Sequence, residues 1–336
     1  MFGSYLVKQT MAYACKQVQD KEAKIQQLTY QSHKEQVHKM KSAPNPIKRS
    51  SDAVIDHVHS IIYLRQANEK KVYAFNLRMD SWKQLPDCNN FQCTLAFFED
   101  NLLAIGGTPE DTSPRTSKVY KLVQQSGWET KSSMLTARSR TTALTCDFNK
   151  ESVLIVAGGE KLGGDGKDKF ESLNTVEVFK GQKWHPASQL PGTLCCSSGT
   201  VVKDYIHLVG GWSKRNHELL TVYTCRLSDL IESCDAPVGS AVWSQIIPSC
   251  PVAQTTCTTF QDKLLIVGGI KPHDPNKTPI DAIHIYNDHT NSWHIVGRLP
   301  EPRYLCFAMA LCKCRFLVIG GHRDTSSFSK DVQIFM

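Results

Sequence analysis

Short apolar runs recur along the chain, and five of them close on a glycine pair: Leu102–Gly107, Leu154–Gly159, Ile206–Gly211, Leu264–Gly269 and Phe316–Gly321. The second glycines of Gly106-Gly107, Gly158-Gly159, Gly210-Gly211, Gly268-Gly269 and Gly320-Gly321 lie 52, 52, 58 and 52 residues apart. A strand-like segment of alternating character follows each pair: Val119–Leu122, Val176–Phe179, Val222–Cys225, Ile283–Tyr286 and Val332–Phe335. A sixth copy, Val72–Phe75, comes before the first glycine pair, and ahead of it Ile61–Gln66 carries Arg65-Gln66 in place of Gly-Gly. A tryptophan comes next in five repeats, Trp82, Trp128, Trp184, Trp243 and Trp293, commonly with a proline beyond it, as at Pro86, Pro191 and Pro300.

These positions have physical roles. A continuous apolar run suits an inner strand packed on both faces. Glycine permits positive φ and a close backbone approach where strands crowd an axis. The aromatic residues and tryptophans fill wedges between neighbouring sheets, where flat side chains bury the most area. A small sheet cannot bury both of its faces alone, whereas radial stacking buries them and protects the edges. Six apolar runs and six following strands predict six blades, and a period near 50 is that of kelch repeats. Over about residues 36–336 the chain resembles the kelch family. The resemblance implies an all-β, six-bladed kelch-type β-propeller acting as a non-enzymatic protein-binding module.

The sequence ends at Met336, directly after the last of six such strands, so the last blade is expected to take an outer strand from elsewhere. Trp293–Arg303 carries Pro300-Glu301-Pro302 ahead of the apolar strand Cys306–Leu311, and Val37–Arg49 carries Pro44-Asn45-Pro46 ahead of Ala53–Val58. This correspondence predicts that residues 36–42 complete the last blade and tie the ring shut. Residues 1–35 read as a separate basic helix, rich in Lys, Gln and Ala. Met11, Val18, Ile25 and Leu28 trace a thin heptad seam that Lys21, Ser32 and Glu35 interrupt, which favours a surface helix over a stable coiled coil. The sequence shows no BTB-like pattern, and the cullin-adaptor role of many kelch proteins is not carried over.

Composition narrows the function. Hydrophobic residues make up 41% of the chain and charged residues 21%, as in a globular protein with a substantial core. Residues 1–50 hold nine basic and three acidic residues, so nearly all of the net charge of +7 sits there and the body offers no general attraction for nucleic acid. No run approaches the roughly 18 apolar residues of a membrane span, and no secretory signal is legible. The thirteen cysteines lack metal-ligand spacing, and several fall where other repeats carry apolar residues, which reads as core packing in the reducing cytoplasm. His57 and His59 lack a third ligand, Gly163-Gly164-Asp165-Gly166 fits no phosphate-binding fingerprint, and no nucleophile motif is present. Neither a metal nor a cofactor is expected.

Binding is expected on the face built from the loops after the glycine pairs and the loops linking one blade to the next. The first set carries Trp212, Lys214, Arg215, Asn216, His273, Asp274, His322 and Arg323. The second carries Arg138, Ser139, Arg140, Cys195, Ser197, Arg303 and Tyr304. Kelch proteins commonly bind peptides on this face. The resemblance puts Arg140 and Arg303 at or beside positions of ligand-contacting arginines and serines, although an arginine after the proline also suits a structural brace. Arginine beside aromatic residues is a usual interface make-up, and an acidic or phosphorylated peptide suits it. Trp212 lies outside the tryptophan position of the repeat, which makes it a candidate contact residue. An actin-binding role is the alternative that the resemblance leaves open, with an enzyme using the central channel behind it. An insertion between Tyr223 and Trp243 predicts a helical turn at Leu227–Cys234 on the opposite rim.

Overall fold

The computed structural model describes residues 37–45, 52–66, 69–110, 114–123, 126–162, 170–213, 217–235, 242–246, 250–324 and 326–336. The expected N-terminal helix and its heptad seam lie outside the described residues, as do Lys214, Arg215 and Asn216.

Six antiparallel four-stranded sheets form the blades of a propeller. Each blade runs outwards in chain order. Blade 1 comprises Asp52–Asp56, Ile61–Arg65, Val72–Asn76 and Ser81–Leu85; blade 3 comprises Thr142–Phe148, Glu151–Ala157, Val176–Lys180 and Lys183–Ala187. Blade 6 holds Phe307–Cys312, Arg315–Ile319 and Val332–Phe335, and its fourth strand is His38–Met40, which pairs His38 with Ile334 and Met40 with Val332. The strand His38–Met40, ahead of blade 1, and the last strand, Val332–Phe335, are thereby joined by hydrogen bonds within one sheet.

One expectation is corrected. The apolar runs that close on glycine are the second strands of their blades, while the innermost strands are the preceding, more polar segments such as Thr142–Phe148. The second strand is covered by a blade on each face and reads as a continuous apolar run. The innermost strand turns one face to the central channel, and in blades 3, 4 and 5 it carries two or more hydroxyl residues, as in Thr142–Phe148, Ser198–Val202 and Thr256–Phe260.

The glycine pairs therefore serve the seams between blades. At φ +98°, Gly159 takes a backbone conformation that L side chains rarely adopt, and a Cβ there would lie 2.7 Å from the carbonyl oxygen of Ser139 in the loop before its blade. Its N–H donates at 2.8 Å to Leu194 O in the loop after its blade, so the pair is clamped between two loops. In blade 1, Arg65 replaces the first glycine and its Nε donates to Cys93 O at 2.9 Å, so a long side chain reaches the next loop.

The tryptophans bind the seams on the outside. The indole N–H of Trp82 donates to Lys41 O (3.1 Å), Trp128 to Pro86 O (3.0 Å), Trp184 to Ser132 Oγ (3.2 Å) and Trp243 to Ser188 O (3.1 Å). Each acceptor belongs to the preceding blade or its exit loop. For Trp82 that acceptor is the residue just after the strand His38–Met40. One apolar cluster fills each of the six seams; Met40, Ala43, Ile62, Phe75, Leu317 and Val332 form the one between blades 6 and 1. The insertion in blade 4 forms a helix, Leu227–Ser233, whose Leu227, Leu230 and Ile231 are buried against the seam of blades 3 and 4.

Candidate functional site

Alternating strand directions put the loops after second strands and the loops between blades at one end of the propeller. The tight hairpins after first and third strands lie at the other. At the first end a central cavity of about 460 Å³ opens among the innermost strands.

Two rings of residues shape its mouth. The first is conformational. Gln92, Arg140, Cys196, Gln254 and Leu305 each stand two residues before an innermost strand, with φ between 50° and 55°. The N–H of Arg140 donates to Gln92 O (3.3 Å), that of Cys196 to Arg140 O (3.0 Å) and that of Leu305 to Gln254 O (3.0 Å). The left-handed turn is what lets each loop reach the one before it. For a non-glycine residue this conformation costs on the order of 1 kcal/mol, and such strain clusters where function constrains the chain.

The second ring is made of side chains at the first position of five of the six innermost strands, blade 6 beginning instead with Phe307. Asp52 accepts from Leu95 N (2.6 Å), Thr94 Oγ1 donates to Thr141 O (3.0 Å) and Thr142 Oγ1 donates to Ser197 O (2.8 Å). Ser198 Oγ accepts from Cys257 N (2.9 Å), and Thr256 Oγ1 accepts from Ala308 N (3.3 Å). Each bond crosses a seam. Burial pushes the Asp52 carboxyl up to about 6, against the pull of Arg65 and of the backbone donors Leu95 and Ala53.

Around this mouth the arginines divide into braces and a surface group. Arg138 is fully buried; Nη1 donates to Gly158 O (2.8 Å) and Thr175 O (3.0 Å), and Nη2 donates to Thr175 Oγ1 (2.9 Å) and Glu177 Oε1 (2.5 Å). Arg303 occupies the same place one seam from the chain end, also fully buried, with Nη1 donating to Gly320 O (3.1 Å) and Ser329 Oγ (3.3 Å). The expectation of Arg303 as a partner contact is corrected: its guanidinium holds the glycine pair of the next blade. Ser139 is likewise buried, with Oγ 3.3 Å from Glu160 Oε1, and Tyr304 and His322 are buried and packed ring on ring at 4.9 Å. These three side chains support loops and do not face solvent. Asp274 caps its own loop by accepting from Asn276 N and Thr278 N.

Arg140, Trp212 and Arg323 do reach the surface. Arg323 is tied to Glu301 (2.8 Å) and Asp331 (3.1 Å). Arg140 lines the cavity, its side chain is 27% exposed, and its Nη1 lies 3.5 Å from Glu160 Oε2 while Nε has no hydrogen-bond partner. Trp212 is half-buried and begins a small hairpin that pairs Trp212–Ser213 with His217–Glu218.

Blade 3 carries a matching hairpin, Glu160–Lys161 against Glu171–Ser172. Among the described residues these are the only two-stranded sheets, and both stand on the same end of the molecule. The blade 3 hairpin carries exposed Leu162 and Phe170, and the Phe170 ring lies 4.3 Å from Arg115 Cζ. Buried Glu160 at its base bonds Arg115 Nη2 at 2.6 Å. Sequence reasoning missed Arg115, Glu160, Phe170 and the ring of left-handed residues.

The repeat also matches outside this molecule. A family model described as the Kelch motif matches residues 251–300, which span the innermost strand to the outer-strand exit of blade 5. The solved structure titled "Structure of YjhT" superposes with a TM-score of 0.65 at 18% identity, covering 87% of this chain and 95% of that one. The chain is a six-bladed β-propeller whose fifth blade carries a kelch motif. At that identity the likeness to the solved structure concerns the fold alone. No curated protein matches the chain by sequence. Within this propeller no group of three or more metal-ligating side chains occurs among the described residues, and no described helix is long and apolar enough to cross a membrane.

Proposed function

We propose that this propeller is a non-enzymatic protein-binding module that takes its partner on the channel-mouth face, against the hairpins of blades 3 and 4. The raised hairpins carry the reading. They break the sixfold regularity on one side only, and they flank Arg140 with exposed Phe170 and half-buried Trp212. Large flat side chains around an arginine supply both area and directional bonding in an interface.

An acidic or phosphorylated segment is the proposed ligand. Arg115 and Arg140 share the single carboxylate of Glu160, and Arg140 Nε lacks an acceptor, so the cluster keeps an excess of positive charge. A carboxylate or phosphate meeting the 27% exposed Arg140 side chain would balance that charge. A catalytic reading of the channel gains little from Asp52, whose oxygens are engaged by Leu95 N and Ala53 N. We place the module in the cytoplasm, a reading supported by thiols that serve as buried core groups. A scaffold or substrate-recognition role fits a propeller that offers one face to one partner.

The test is quantitative capture from an extract with the wild-type chain, an Arg140→Ala/Phe170→Ala/Trp212→Ala variant and a Val58→Asp/Met79→Asp control on the opposite face. Proteins held by wild type and control but reduced about tenfold or more by the triple variant support the reading. An unchanged captured set from the triple variant, with an unchanged melting transition, refutes it.

A further inference from the structure

The end of the propeller away from the channel mouth carries two thiols of a different kind from the rest. Of the twelve described cysteines, only Cys312 and Cys314 are exposed. Burial pushes thiols up to about 12 at Cys146, Cys250 and Cys257 and to about 11 at Cys306, so those groups stay protonated and unreactive, and Cys88, which the Cys93 thiol holds down, is buried away from any reagent. Cys312 is shifted the other way: the N–H of Cys314 and then the Cys314 thiol and Arg315 favour its thiolate.

Geometry sets the pair up. Cys312 ends the innermost strand of blade 6, and Cys314 follows in the hairpin turn. A bulge between Ala310 and Cys312 shifts the register so that Cys312 pairs with Arg315, and the two sulfurs stand 3.6 Å apart. The turn is anchored to blade 5: Gln261 N donates to Lys313 O (2.7 Å), and Lys313 Nζ meets Asp262 at 3.0 Å. The sulfurs are thus close, exposed and held on a fixed hairpin.

We propose that Cys312 and Cys314 form a thiol–disulfide exchange site whose substrate is a small-molecule disulfide such as glutathione disulfide. The Cys312 thiolate attacks one sulfur of the disulfide, forms a mixed disulfide and expels one glutathione thiolate, which takes up a proton. Cys314 then gives up its proton and attacks Cys312 Sγ. The mixed disulfide breaks, the second glutathione leaves as a thiol, and a Cys312–Cys314 bond remains. Two electrons pass from the protein dithiol to the glutathione disulfide. Cys312 is the attacking group because its thiolate is favoured, and Cys314 resolves because it is the nearest thiol.

Mass spectrometry of the reduced full chain after exposure to glutathione disulfide tests this. Wild type is expected to lose two hydrogens and retain no glutathione, at a rate at least about tenfold above that of any buried thiol. Trypsin cuts after Lys313, so the oxidised protein should yield Tyr304–Lys313 joined to Cys314–Arg315 until reductant is added. Cys314→Ser should instead keep one glutathione on Cys312, and Cys312→Ser should react more slowly than either. Melting transitions equal to wild type would show both variants folded. A Cys314→Ser variant that traps no adduct overturns the proposal, as does a wild-type chain that accumulates a lasting glutathione adduct in place of the internal bond.

Discussion

Replacing Arg138 with methionine keeps most of the buried volume and removes the charge. Four hydrogen bonds disappear, to Gly158 O, Thr175 O, Thr175 Oγ1 and Glu177 Oε1. Glu177 stays buried, 2% exposed, with only the N–H groups of Leu135 and Thr136 to hold its carboxylate. Stranding a buried charge in this way costs about 3–5 kcal/mol. At roughly 2–3 °C per kcal/mol for a large domain, the melting transition should fall by about 6–15 °C. Arg140→Met is the matched control. That side chain is 27% exposed and makes one ion pair at 3.5 Å, so its loss should cost about 1 kcal/mol or less. Urea unfolding of the three proteins, followed by tryptophan fluorescence, measures both numbers. Adding Glu177→Leu to Arg138→Met should recover part of the loss, because the second substitution removes the stranded carboxylate. Equal midpoints for Arg138→Met and Arg140→Met would refute the division of these arginines into brace and surface group.

Three further outcomes are expected. Deleting residues 1–43 should lower stability by several kcal/mol relative to deleting residues 1–36, because it removes the fourth strand of blade 6 and the Trp82 acceptor; equal urea midpoints would contradict the closure. Gly159→Ala should destabilise by about 2 kcal/mol or more, since φ is +98° and the added Cβ meets Ser139 O, and a change below 0.5 kcal/mol in the same assay would show that the clamp is not needed. Burial lowers His207 and His284 to about 4, so the unfolded chain protonates at these sites before the folded one does, and stability should fall as pH drops from about 6.5 to about 4; His207→Leu/His284→Leu should flatten that fall, and an unchanged slope would count against it.

The fold was legible because its landmarks repeat as residue types. Gly-Gly recurs since a Cβ at the second glycine would enter a neighbouring loop, and tryptophan recurs since at four of the seams its indole N–H reaches the previous blade. The Pro-x-Pro correspondence pointed to residues 36–42, and His38–Met40 pairs with the last strand. Strand order was misjudged because apolar content reports burial on two faces, and the innermost strand has only one. Arg303 was misread for a related reason: a buried arginine and an exposed one are spelled alike, and only the carbonyls of Gly320 and its neighbours distinguish them. The mouth ring left no trace because Gln92, Arg140, Cys196, Gln254 and Leu305 share a backbone conformation and no side-chain chemistry. Glu160 and Arg115 are far apart in sequence and meet only when blades 2 and 3 stack.

The partner-binding face can be probed without knowing the partner. A photo-crosslinking amino acid is placed singly at Phe170, Trp212, Val58 or Met79 and irradiated in cell extract. Discrete adducts should form from positions 170 and 212 and disappear with Arg140→Glu, while positions 58 and 79 stay unreacted. Adducts confined to 58 and 79, or unaffected by Arg140→Glu, would contradict docking beside the hairpins of blades 3 and 4.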